Sequence, residues 1–121
     1  MMALAREPRK KRRPKRVATK RLYVIRLDPA VLEVARFREA NPNHRPDKPC
    51  VYVGSTGNDP QKRCEQHLAG YKAARFVTKF GIGLKQPMTR NLLPVPWPEA
   101  EAAERRLAAK LRARGYAVWQ N

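Results

Sequence analysis

Two short runs of β-forming side chains, RLYVIRL at 21–27 and CVYVG at 50–54, constrain this chain more than anything else in it. Alternation in the first run sends Tyr23, Ile25 and Leu27 to one side and Leu22, Val24 and Arg26 to the other, which is the period of a strand. A lone strand leaves its backbone N–H and C=O groups without partners, so the two runs are expected to pair. The second run stops at Gly54 and the turn residues STGND.

The segments around them read as helices. Asp28 and Pro29 start one over AVLEVARFREA (30–40), with Val31, Leu32, Ala35 and Phe37 inward, and NPNHRPDKP breaks it. Asp59 caps a second helix and Pro60 takes its first position; it should reach about Gly70, with Cys64 and Leu68 on the buried side. YKAARFVTKF (71–80) predicts a third, ended by Gly81 and Gly83. LLPV (92–95) offers a further strand, whose pairing Pro87 and Pro94 restrict. The last helix has agreeing signals at both ends of PEAEAAERRLAAKLRARG: Pro98 opens it, acids fill its first turn, Arg112 and Arg114 its last, and Gly115 stops it. YAVWQN then closes in an extended segment. In 121 residues this order points to one small mixed α/β (α+β) domain, a few-stranded sheet covered by helices.

Charge says more about partners than about fold. Lys and Arg number 27 against 10 Asp and Glu, a formal net charge of +17. The first 21 positions carry ten of the basic residues against Glu7 alone, so residues 22–121 are basic in their own right. A polyanion is the expected partner, and nucleic acid the expected polyanion. Residues 1–20 read as a basic disordered tail, either a phosphate-contacting arm or a solubilising one. KKRRPKR also matches the loose pattern of a nuclear import signal.

No apolar run approaches the roughly 20 residues that span a bilayer, and no secretory leader is evident. The expected setting is cytoplasmic and nucleoid-associated, or nuclear in a eukaryote, with no membrane partner. Cys50 and Cys64, with His44 and His67, make four possible zinc ligands, but their spacing matches no zinc pattern, and the thiols read as packing groups.

LYVIRL, then VYVGST, then Arg63 with His67 four residues on, then an acid within a late helix: in that order these residues resemble the GIY-YIG nuclease family. The two name motifs map onto Arg21-Leu22-Tyr23 and Tyr52-Val53-Gly54. The resemblance covers residues 21–121, with 28–49 as a helical insertion between the first two strands. It implies a three-stranded, mainly antiparallel sheet flanked by helices, a single Mg²⁺ or Mn²⁺, and hydrolysis of phosphodiester bonds in DNA. Branched or damaged DNA would suit a domain without a dedicated reading module, a homodimer or partner protein could add selectivity, and RNA stays open as a substrate.

Within that frame each residue has a task. Phosphodiester hydrolysis needs an oriented water, a proton acceptor and positive charge at the phosphate. The planar, permanently charged guanidinium of Arg63 suits the last of these. His67, one helical turn on, would shuttle a proton or position Tyr52. Tyr23 and Tyr52 would position or activate the water, by the resemblance, though a phenol titrating near about 10 is a poor base unaided. Glu104 falls on the apolar stripe of the last helix, with Ala100, Leu107, Ala108 and Leu111 at helical spacing, and a metal would balance a carboxylate there. Glu99 and Glu101 have ordinary first-turn roles. Gly54 supports the second motif, Asn121 would support the site from the chain end, and Lys62, Lys72, Arg75 and Arg26 are candidate phosphate contacts.

Three features depart from the family. Arg21 replaces the first glycine, the connection 28–49 is long, and a further histidine after His67 is missing. The rival readings are a catalytically silent nucleic-acid-binding module of the same fold and a basic ribonucleoprotein component.

Overall fold

A computed structural model describes residues 18–120. The two runs pair as expected: β1 (Thr19–Leu27) lies antiparallel to β2 (Cys50–Thr56), with Tyr23 opposite Gly54 and Ile25 opposite Tyr52. Before the second strand the insertion folds as a 3₁₀ turn, Pro29–Glu33, and a short helix α1 (Ala35–Glu39). After it come α2 (Pro60–Leu68), α3 (Arg75–Phe80), β3 (Gly81–Leu84) and α4 (Gln86–Arg90). The chain then makes β4 (Val95–Pro96), a 3₁₀ turn Trp97–Glu99, α5 (Ala100–Ala113) and β5 (Ala117–Gln120).

The fold class holds, a mixed sheet flanked by helices, but the sheet has five strands rather than three. Its order is β3-β1-β2-β5, and β4 pairs with the start of β1. Pairing is antiparallel throughout except for β5, which runs parallel to β2. Leu92 and Leu93 of the expected LLPV strand stay outside the sheet, and only Val95 and Pro96 pair. Pro94 and Pro96 have no N–H to donate to a ladder, which keeps this strand short and at an edge.

The helix expected over 30–40 is broken at Val34, whose backbone is extended. Val31 and Phe37 are both fully buried, yet six residues of a straight helix would set them about 120° apart around its axis. The break lets both turn inward. The helix expected over 71–80 is confined to 75–80, because Gly70 and Lys72 adopt positive φ in a turn at 69–72. Gly81 caps its end as expected, and both glycines then enter β3.

Two apolar layers sandwich the sheet. One face carries Tyr23, Ile25, Leu27 and Tyr52, packed with Val31, Phe37, Cys64, Phe76 and Val77. The other carries Val24, Val51, Val53 and Val118 against Ala108 and Leu111 of α5. The insertion is wired into the second layer through Asn41. Its Nδ2 donates to the carbonyls of Phe37 (2.8 Å) and Val118 (3.0 Å), and its Oδ1 accepts from the Val118 N–H (2.7 Å) and Arg112 Nε (2.9 Å). Cys50 and Cys64 are buried free thiols, and no group of three or more metal-ligating residues occurs among the described residues. No described helix is long and apolar enough to cross a membrane.

Candidate active site

Helix α2 begins where Asp59 accepts from the Lys62 N–H at 3.3 Å and Pro60 sets the first turn. Its inward side presents Cys64 and His67 to the tyrosine face of the sheet. His67 Nε2 lies 2.8 Å from the Tyr23 hydroxyl. Tyr52 completes the cluster, its ring centroid 5.4 Å from the imidazole and 6.4 Å from the Tyr23 ring. The histidine therefore bonds Tyr23, not Tyr52, while touching both rings. Gly54 shows why the second motif ends in glycine: a Cβ there would stand 2.6 Å from the Tyr23 hydroxyl and 2.7 Å from Cζ. The tyrosine is seated in the space that a side chain would occupy.

Arg63, one turn before His67, is held by the turn that replaces the expected helix. Its Nη2 donates to the Lys72 carbonyl at 2.7 Å, and its Nη1 to the Tyr71 carbonyl at 3.2 Å and to Gln66 at 3.3 Å. Lys72 thus serves the site through its backbone, and its ammonium lies over the Tyr71 ring. Lys62 and Arg75 are exposed, at the starts of α2 and α3. Arg26 is not part of this group. Strand alternation turns it to the face opposite Tyr23, where it lines a separate depression with Pro49, Leu84 and Lys85.

Glu104 arrives from the other side of the sheet, on α5. Ser55 follows Gly54 on β2 and so points toward that helix; its hydroxyl donates to Glu104 Oε2. Gln120 of β5 donates from Nε2 to Oε1 at 3.2 Å. Both carboxylate oxygens are thereby fixed. Ser55 and Gln120 are residues that sequence reasoning missed, although the alternation of β2 beyond Gly54 was a usable signal for Ser55. Asn121, the expected support, lies outside the described residues.

Electrostatics link the two halves. Burial, then the negative Glu104, pushes the Tyr52 phenol up to about 12 against the opposing charge of Arg63. Tyr23 is pushed higher still, by burial first and then by Tyr52, while Arg63 again opposes. His67 is held down at about 4, by burial and then by the Arg63 charge. At neutral pH the cluster therefore has two protonated phenols and a neutral imidazole, between a cation and an anion. The Glu104 carboxylate and the Ser55 hydroxyl are hard oxygen donors, suited to Mg²⁺ or Mn²⁺, which take one or two carboxylates and complete their shells with water and phosphate oxygens.

A family model described as the GIY-YIG catalytic domain matches residues 43–117. The match includes Tyr52, Gly54, Arg63, His67 and Glu104, and begins after Tyr23. Comparison with curated proteins and with solved structures gave no match. With the family model covering more than half of the chain, this protein belongs to the GIY-YIG family of nuclease-type domains.

Proposed function

We propose that this protein is a divalent-metal-dependent endonuclease that hydrolyses phosphodiester bonds in DNA at the patch formed by Tyr23, Tyr52, Arg63, His67 and Glu104. One observation carries the reading: His67, one turn after Arg63 on α2, is hydrogen-bonded to Tyr23, while Ser55, next to Gly54 on the paired strand, holds Glu104.

Arg63 grips non-bridging oxygens of the scissile phosphate and neutralises the charge that grows as the water attacks. A phenol pushed so far up is no anionic base. It works instead as a relay: the Tyr23 oxygen takes the water's proton as its own hydrogen passes to a bare Nε2 of His67. Burial and the Arg63 charge make protonating His67 unfavourable, and the phosphate anion offsets that cost when it binds. Tyr52 fixes the geometry of the pair. Glu104, held by Ser55 and Gln120, would bind the metal, which supplies Lewis-acid stabilisation and a water of lowered pKa. Lys62, Lys72 and Arg75 flank Arg63 in sequence and would follow the backbone of a bound strand. Branched or damaged DNA, recognised by shape or with a partner protein, is the proposed substrate class.

Incubating the full chain with plasmid and branched DNA in Mg²⁺ or Mn²⁺ tests this, beside Glu104→Ala and Arg63→Ala proteins shown to be folded. Cleavage by the parent alone is expected, each variant losing about 10²- to 10³-fold or more while still binding DNA. Binding by the parent without cleavage of any substrate would overturn the proposal in favour of a silent binding module.

A further inference from the structure

Adjoining Glu104 is an open depression of about 380 Å³, lined by Lys20, Ser55, Trp97, Pro98, Glu101 and Glu104. Its volume lies within the roughly 300–1,000 Å³ typical of small-molecule sites. Its wall is a tryptophan that stability alone explains poorly. The Trp97 side of this wall leaves the residue 50% exposed, so much of its apolar surface gains nothing from burial. Even so, Trp97 is fixed from three directions. Its N–H donates to the Ala18 carbonyl at 2.8 Å, and the two residues before it pair with Thr19 and Lys20. Its ring lies against Gly57, where a Cβ would come within 2.9 Å of Cζ3. Lys20 Nζ lies over the ring, 4.4 Å from its centroid.

The shortest strand of the sheet thus has one clear consequence: it holds an indole and an ammonium group beside the carboxylate of the site. A half-exposed aromatic ring under a flexible lysine can take a nucleotide, because a base stacks on the ring as the ammonium moves from the ring to the phosphate. Glu101, the other acid lining the depression, pairs with Arg105 at 3.8 Å, which offsets its repulsion of an anion.

We propose that Trp97 and Lys20 form a subsite for the nucleotide flanking the scissile phosphate, its base stacked on the indole, its phosphate paired with Lys20, and its reacting side toward Ser55 and Glu104. This rests on the nuclease reading above and names where the strand next to the cut lies.

The test is a binding measurement in EDTA, so that it does not depend on cleavage. In a Trp119→Phe chain Trp97 is the one indole left of two, and its fluorescence is followed on adding oligothymidine of about 15 nucleotides, within the span that such grooves cover. Inorganic polyphosphate of the same length carries charge without bases. Quenching by the oligonucleotide and not by polyphosphate is expected. In the parent chain Trp97→Ala should weaken oligonucleotide binding roughly 5- to 150-fold, the worth of one stacked base, and Trp97→Phe should restore most of it. No quenching, equal quenching by polyphosphate, or unchanged affinity in a folded Trp97→Ala protein would overturn the subsite. The quenching arm keeps Trp97 intact, so it decides the matter even if Trp97→Ala does not fold. Repeating it with Glu104→Ala separates the two readings: quenching should persist where cleavage is lost, and a parent that never cleaves leaves the quenching result standing.

Discussion

A buried imidazole with one unpartnered ring nitrogen resists protonation, because the charge must leave water with too few hydrogen bonds to compensate. His67 is in that position: Nε2 meets Tyr23, and Nδ1 is buried without a protein partner among the described residues. Burial first and Arg63 second hold its pKa down at about 4 in the fold, against about 6.5 in an unfolded chain. Between those values the unfolded state binds more protons than the folded one, so stability rises with pH across the window and is lost on acidification through it. The loss from His67 alone is at most about 3 kcal/mol, at about 1.4 kcal/mol per pH unit. Urea unfolding at about pH 7.5 and about pH 4.5 should show a drop in midpoint that is clearly smaller in His67→Gln, whose amide can still meet the Tyr23 hydroxyl without titrating. An equal drop in the variant would mean that other groups carry the pH dependence.

Elements with local signals were legible in the sequence, and elements defined by distant partners were not. Alternation gave β1 and β2, and the Asp-Pro start gave α2. Helical spacing by itself singles out Glu104 among the acids of α5. The placement of β5 beside β2, which brings Gln120 to Glu104, has no local signature, because parallel pairing depends on the route of the intervening chain. The segment 28–49 gave a helix signal but no sign of its tie to the rest of the fold. Its Asn41 joins α1, β5 and α5 with four hydrogen bonds. Asn41→Ala removes that hub and leaves the buried Val118 N–H without its acceptor, a loss of about 1–3 kcal/mol for such an orphaned group. Urea unfolding should register it, and amide exchange at Val118 should quicken relative to Val24 on β1. Unchanged stability and unchanged exchange would show that the insertion can be detached from the β5 side of the sheet without cost. Because Gln120 ends the same strand, the insertion bears on the carboxylate it never touches.

At the scale of the whole molecule, the net charge of +17 sets how the chain meets a polyanion, and it is divided between two parts. Residues 1–17 hold eight of the 27 Lys or Arg against Glu7, and the rest of the chain holds the other 19, Lys20, Lys62, Arg63, Lys72 and Arg75 among them. Neutralising a phosphate releases condensed counterions, so the logarithm of affinity falls linearly with the logarithm of salt by about 0.9 for each duplex phosphate contacted. If the tail supplies affinity and the folded domain supplies the site, removing residues 1–17 should weaken DNA binding at low salt and make the salt dependence shallower. A clear negative slope should remain, because Arg63 and its basic neighbours stay. Cleavage at saturating DNA should be unchanged, since no residue of the Tyr23–His67 pair, Arg63 or Glu104 is removed. Filter binding over a range of KCl, with single-turnover cleavage at saturation, separates these outcomes. A truncated chain that bound with an unchanged slope would show that the first 17 residues never reach the phosphates. One that bound normally but cut slowly would place part of the catalytic apparatus in the tail, against the division of labour argued above.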